Sequence, residues 1–238
     1  MIRAGTLYGI GVGPGDPELL TLKGLRLLRE VPVVYVPIAR AGGDSYARSI
    51  VAEHLDPTRQ HIVELAFAMR SDITARASRW REGARIIAEH LRTGADAAFV
   101  TEGDPMLYST FGHIRGALAD EMPAAGVVVV PGISSVQAAA AAAQFPLGDG
   151  DERLAILPTC YEGDDLRSTL KAFDTVALLK IASCFDRTVD SLEELGLADH
   201  AVFVSRCGTA QEEIIRNVRS LRGKPLDYFS LLLVRRES

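Results

Sequence analysis

Three short turns hold the residues whose types and spacing suit chemistry. The first runs Gly11-Val12-Gly13-Pro14-Gly15-Asp16 and continues a glycine series begun at Gly9. A dinucleotide fingerprint needs glycines at i, i+2 and i+5. Counting from Gly9, Gly11 or Gly13, the third place falls on Pro14, Asp16 or Glu18, and no Gly-Lys-Ser/Thr ending makes a phosphate loop. Pro14 has no N–H to give a phosphate, and Asp16 repels one. The loop suits the close approach of something other than a phosphate, or simply a tight strand-to-loop turn. The second turn is Thr101-Glu102-Gly103-Asp104-Pro105. Its glycine lets a ligand near the backbone and its aspartate offers a carboxylate, although an Asx turn capping the next helix would use the same residues. The third, Pro131-Gly132-Ile133-Ser134-Ser135, ends in two serines, either of which can cap a helix.

Other chemistries are poorly served. Cys160, Cys184 and Cys207 are widely spaced, with no CxxC and no cysteine–histidine cluster, so no metal site is expected. Three unclustered cysteines fit a reducing cytoplasm. No Ser/His/Asp or Cys/His set for nucleophilic catalysis stands out, and no catalytic residue is assigned. The formal net charge of −5 argues against a nucleic-acid or anionic-membrane binder. The N-terminus does not read as a signal peptide. The most apolar stretch, Val127 to Phe145, is interrupted by Pro131, Gly132, Ser134, Ser135 and Gln137, so no membrane span is expected.

The elements that must position these turns alternate between strand-like and helix-like. Strands are predicted at Gly5–Val12, Val33–Val36, His61–Leu65, Asp96–Thr101, Val127–Val130, Leu154–Leu157, Thr175–Leu179 and Ala201–Ser205. Helices are predicted at Leu19–Glu30 (Asp16 or Thr21 as cap), from a cap at Asp44 to about Leu55, at Asp72–Arg92, from about Tyr108 to Asp120, and from Ser134 to Ala143. Between Ile73 and Leu91, apolar residues recur every three or four places through Trp80 and Ile87, a stripe expected to face the core. Arg76, Arg79 and Arg85 then fall on a solvated face. Glu213–Val218 and Tyr228–Val234 are expected to form an antiparallel pair around a Gly223-Pro225 turn. Alternation of this kind implies a largely parallel sheet covered on both faces, with ligands bound beyond the carboxyl ends of the strands. All three turns, together with Lys180–Ser183 and Arg206–Thr209, follow predicted strands. For 238 residues one large or two small domains are expected. The polar, Gly- and Pro-bearing stretch Gln144–Glu152 is the linker expected to separate residues 1–146 from 147–238.

Four segments, in order, resemble the successive motifs of the tetrapyrrole methylases: GTLYGIGVGPGDPELLTLKG from Gly5, TEGDPMLYSTFG from Thr101, VVPGISSVQAAAAA from Val129 and SRCGTAQEEI from Ser205. DPMLYSTF after the glycine, the lysine of ALLKIAS and YFSLLLV near the end are most similar to the branch that methylates C-20 of precorrin-2 or of its cobalt-containing counterpart. The resemblance implies two α/β domains, the first with a mainly parallel and the second with a mixed sheet, a cleft between them, S-adenosylmethionine as methyl donor, a tetrapyrrole substrate and a homodimer. It places Pro14 near the donor, has Glu102, Gly103 and Asp104 line it, and packs Leu107 beside it. Ser134 and Ser135 take the place of a small pair. Lys180, Ile181 and Ala182 form a further donor contact, and Gly208 approaches the adenosine. Glu102 stands where the family commonly has glycine, and Lys180 where some relatives have methionine. Methylases of other ring positions, diphthine synthase and a donor-binding regulatory module are the alternatives.

Such a substrate carries many carboxylates, which arginine forks hold bidentately. The chain has 22 arginines against 4 lysines, which composition bias alone could also produce. Arg40 and Arg48, flanking Gly42-Gly43 near a strand end, are the better candidates for substrate, with Asp16 and Tyr108. Tyr108 could receive the proton released after methyl transfer, or simply pack the start of a helix.

Overall fold

The computed structural model describes residues 3–39, 43–67, 73–158 and 163–236. The chain divides into two compact units at the Ser134–Ser135 bond.

The first unit alternates strand and helix: β1 (Thr6–Gly11), α1 (Leu22–Glu30), β2 (Val33–Ile38), α2 (Tyr46–Val51), β3 (His61–Ala66), α3 (Ile73–Arg92), β4 (Ala97–Thr101), α4 (Phe111–Glu121) and β5 (Gly126–Val130). The strands form one sheet in the order β3-β2-β4-β1-β5, every pair parallel. Side chains alternate between its faces, as the pleat requires. Leu7, Tyr35, Ala97 and Phe99 pack under α3 and α4, against Ile87, Leu91, Phe111, Ile114 and Leu118. Ile10, Val34, Val36, Ala98 and Val100 pack under α1 and α2, against Leu28, Ala47 and Ile50. Both faces are covered, so β4 is buried along its whole length.

This arrangement positions the turns. β4 lies between β2 and β1, and the helix after it sits on the opposite face from the helices after those two strands. Adjacent strands whose connections leave to opposite faces open a crevice at their carboxyl ends, where ligands of such sheets bind.

The helix starts correct several expectations. Asp16 and Thr21 both cap, but different elements: Asp16 accepts the Glu18 N–H ahead of a 3₁₀ turn at Pro17–Leu19, and Thr21 accepts the Gly24 N–H of α1. Ser45 rather than Asp44 caps α2, its hydroxyl taking the Arg48 N–H at 3.2 Å. α4 begins three residues after Tyr108, because that residue takes a left-handed conformation (φ 51°) that a helix cannot contain. On α3 the expected stripe is core at Ala84, Ile87 and Leu91, while Trp80 is partly buried and stacks on His113 with ring centroids 3.8 Å apart. Arg85 is exposed and paired with Glu82 and Glu89, but Arg76 is half-buried with an unpartnered Nε, unlike a solvated residue.

The second unit contains α5 (Ser135–Ala142), β6 (Leu154–Leu157), α6 (Gly163–Ala172), β7 (Thr175–Leu179), α7 (Phe185–Glu194), β8 (Ala201–Ser205), β9 (Glu213–Ile215) and β10 (Ser230–Arg235). Its sheet runs β6-β7-β10-β8-β9, with β6 parallel to β7 and the other neighbours antiparallel. The expected pairing of the last two strands is not formed: each pairs with β8, on opposite sides. Apolarity explains the order. β10 is buried from Ser230 to Val234 and takes an interior place, whereas β9 is short and mostly exposed and takes the edge.

Candidate functional site

At the carboxyl ends of β1, β4 and β5 three glycines meet. A Cβ on Gly132 would lie 2.2 Å from the Gly103 carbonyl oxygen and 2.7 Å from Gly11 Cα, and one on Gly11 would lie 2.5 Å from the same oxygen. Only glycine lets these turns cross. Gly103 (φ 64°) donates its N–H to Gly13 O at 2.7 Å, and Gly13 has φ 84°. Gly9 has a different purpose, since a Cβ there would fall 2.2 Å from the Phe111 ring. The glycine series thus divides into a seat for an aromatic ring and a crossing of backbones.

Asp104 holds the crossing closed. Its Oδ1 accepts the Met106 N–H at 2.8 Å, as an Asx turn does, and its Oδ2 accepts the Gly132 N–H at 3.0 Å. Thr101 and Ser109 join hydroxyls at 2.9 Å, and Ser109 Oγ accepts the Phe111 N–H at the start of α4. Tyr46 donates its hydroxyl to Pro14 O at 2.9 Å, tying the first turn to α2. Beyond these supports, Glu102, Met106 and Tyr108 are exposed, Leu107 is half-buried, and Ser134 is buried. Asp16 Oδ1 is engaged by the Glu18 N–H at 2.8 Å.

The charged groups here suit an uncharged or cationic ligand. Gly11–Asp16, Glu102–Ser109 and Pro131–Ser135 contain Asp16, Glu102 and Asp104 but neither lysine nor arginine. A phosphate would find three carboxylates and no basic side chain in these segments, whereas a cationic group would be attracted.

The second unit repeats the pattern of strained turns after strands. Lys180, after β7, has φ 53°, and its Nζ lies 5.8 Å from the centre of the Tyr228 ring, a cation–π contact. Ile181 is buried and Ala182 half-buried in the following 3₁₀ turn. Arg206, after β8, has φ 47° and precedes Cys207 and Gly208 (φ 78°). Arg206 Nε and Nη2 donate to Asp227 Oδ2 at 2.8 and 2.7 Å, and the Gly208 N–H donates to Glu212 Oε2 at 2.8 Å. Burial, reinforced by the Glu212 charge, pushes the Cys207 thiol up to about 12.

Within the first unit, Pro14, Asp16, Glu102, Gly103, Asp104, Leu107, Tyr108 and Ser134 come from turns at one edge of the sheet. Lys180–Ala182 and Gly208 follow β7 and β8 of the second unit. Ser135 is the first residue of α5. Arg48 lies on α2, paired with Glu64 at 3.2 Å, and Arg40 falls outside the described residues. Sequence reasoning missed Gly132, Ser109, Tyr46 and Asp227 as supports of these turns. Most of their hydrogen bonds join residues distant in sequence, a relationship that residue type and local spacing do not signal.

The profile of one family, the Tetrapyrrole (Corrin/Porphyrin) Methylases, matches residues 6–221. The chain is similar to the probable cobalt-precorrin-2 C(20)-methyltransferase of Methanocaldococcus jannaschii, 33% identical over 97% of this chain and 96% of that protein. It is also similar to the cobalamin biosynthesis protein CobIJ of Mycobacterium tuberculosis, 32% identical over 98% of this chain and 46% of that protein. The chain thus spans about half the length of its mycobacterial relatives. Among solved structures, the uroporphyrin-III C-methyl transferase of Thermus thermophilus in complex with S-adenosylhomocysteine superposes with a TM-score of 0.69 and 26% identity, covering 97% of both chains.

Proposed function

Because the chain belongs to the tetrapyrrole (corrin/porphyrin) methylases, we propose that it methylates C-20 of precorrin-2, or of its cobalt-containing counterpart, in cobalamin biosynthesis, with S-adenosylmethionine as donor. The observation that carries this reading is the end-to-end similarity to a C(20)-methyltransferase over 97% of one chain and 96% of the other. When bound, the sulfonium of the donor supplies an electrophilic methyl group. A bridging carbon of a reduced tetrapyrrole is enamine-like and already nucleophilic, so the protein has chiefly to position the two and exclude water.

The roles of the turns follow from that task. In the first unit, Pro14, Glu102, Gly103, Asp104, Leu107 and Ser134 are the proposed donor contacts. In the second, these are Ser135, Lys180–Ala182 and Gly208. The hydrogen bonds of Asp104 to Gly132 and Met106 fix the shape of the first set. Asp16, Arg40, Arg48 and the exposed Tyr108 are proposed to face the substrate, with Tyr108 Oη as a candidate to relay the proton released at C-20 to water, accepting it while giving up its own. We further propose a cytoplasmic homodimer of two α/β domains, residues 1–146 and 147–238, a division that counts α5 with the first domain, whereas the compact units divide ahead of it. Among the described residues no helix is long and apolar enough to cross a membrane.

Incubation with methyl-labelled donor and a panel of tetrapyrroles, followed by NMR, tests the reading. Label at C-20 of precorrin-2 or its cobalt form is expected. Label at another ring carbon assigns a different methylase of the family, label on a protein supports the diphthine-type reaction, and donor binding without transfer supports a regulatory module.

A further inference from the structure

A cavity of about 470 Å³ opens in the second unit, at the sheet edge opposite the Lys180 and Gly208 turns. His200 and Ala201 stand at the amino end of β8, and Arg235 and Arg236 at the carboxyl end of the antiparallel β10, where Val234 pairs with Ala201. The length of β8 puts this edge about 15 Å from Arg206. Phe145 and Pro146 supply apolar wall, and Gln144 and Arg216 complete the polar lining.

The charges do not cancel. Arg235 is held by both oxygens of Glu152 at 2.8 Å, and Arg236 by Asp174 at 3.0 Å. Asp199, the one lining carboxylate, is taken by Arg219 at 2.5 and 3.2 Å. Arg235 also donates Nη1 to the Pro146 carbonyl at 3.4 Å, whereas Arg216 is held by a neutral partner alone, the Ala143 carbonyl at 2.6 Å, through one nitrogen, Nη2. Its charge is met by no carboxylate among the described residues, and its Nη1 and Nε remain as donors. The Nε of Arg236 is buried and unpartnered, and so offers a ligand no contact.

We propose that this cavity binds a small multivalent anion, whose carboxylate or phosphate group is held by Arg216 beside the apolar wall of Phe145 and Pro146. The volume lies within the range of small-molecule sites, and a guanidinium fork suits either anion. The site is independent of the donor turns, so the proposal stands apart from the methylation reading.

Calorimetric titration of the full chain with citrate and with pyrophosphate, each at fixed ionic strength, tests it. At least one should bind saturably, and Arg216→Gln should weaken that binding ten-fold or more, the loss expected for a charge-assisted hydrogen bond. Citrate alone would identify a carboxylate site and pyrophosphate alone a phosphate site. Arg216 also anchors Ala143, so a second variant guards against a merely structural loss. Asp199→Asn removes the lining carboxylate from an exposed position and should tighten binding about two- to five-fold. Failure of both anions to bind, or binding that Asp199→Asn leaves unchanged or weakens, overturns the proposal.

Discussion

The Asp104 carboxylate and the Gly132 backbone, 28 residues apart, are joined by a 3.0 Å hydrogen bond that ties the turn after β4 to the turn after β5. The same carboxylate takes the Met106 N–H. Both oxygens therefore work within the protein, and any ligand contact at Asp104 must share them. An asparagine side chain at this position would keep one acceptor and turn an amide N–H₂ toward the other donor. We expect Asp104→Asn to cost about 1–3 kcal/mol of stability, because a part-buried N–H loses its partner, and to weaken S-adenosylhomocysteine as the turns separate. Urea unfolding beside calorimetry checks both. An unchanged midpoint would mean that the Gly132 bond contributes nothing, and unchanged affinity would remove this turn from the donor site.

Two glycines should respond in opposite directions to the same substitution. A Cβ on Gly132 meets backbone at 2.2 Å, and neither Gly103, hydrogen-bonded to Gly13 O, nor Gly11, the last residue of β1, can yield without disturbing the crossing. Gly132→Ala should cost about 3 kcal/mol or more, at the upper end of overpacking effects. On α4, a Cβ at Gly112 meets nothing within 4 Å. Gly112→Ala should stabilise by about 0.5–1 kcal/mol through helix propensity. Thermal melts of the two variants against wild type decide the matter, and a stabilised Gly132→Ala would refute the crossing as drawn.

The parallel sheet was legible because its strands are short apolar runs separated by helical patterns, a combination few other folds accommodate. The turns were legible because glycine, proline and aspartate mark changes of chain direction. Where the reading failed, the cause was long-range. Nothing in Glu213–Ile215 or Ser230–Arg235 says that β8 will come between them; that follows from which strand is apolar enough for an interior place. The left-handed conformations of Tyr108, Lys180 and Arg206 leave no trace in residue type, since these side chains ordinarily avoid that region. Arg48 illustrates a third limit: a position near a strand end suited substrate binding, but gave no hint of its pairing with Glu64.

Cys207 should be inert in the folded protein. Its thiol is raised to about 12, first by burial and then by the Glu212 charge, so almost none is thiolate at pH 8. Alkylation with iodoacetamide at pH 8, read by mass spectrometry of the peptide containing Cys207, should be slow in buffer and fast in denaturant. The sign of the linkage follows. The unfolded thiol ionises near its ordinary value while the folded one keeps its proton, so stability from this group is intact below about pH 8.5 and declines as pH rises toward 12. Rapid native labelling would show that the thiol is open to solvent.

Arg206 combines a left-handed backbone with a doubly bonded guanidinium, and these contributions oppose each other. The conformation at φ 47° costs a non-glycine residue about 1–2 kcal/mol. The Asp227 carboxylate compensates: Oδ2 takes Nε and Nη2 of Arg206, while Oδ1 holds the Phe229 N–H. Arg206→Ala removes the compensation and keeps the strain, whereas Arg206→Gly removes both. The glycine variant should therefore be the more stable of the two by about 1 kcal/mol, the reverse of the order expected in an ordinary helix or strand. If Gly208 contacts the donor, S-adenosylhomocysteine affinity should follow the same order, because the Gly208 turn begins at this residue. Urea midpoints and calorimetry on both variants provide the comparison. A glycine variant no more stable than the alanine variant would show that backbone strain at Arg206 is not what Asp227 offsets.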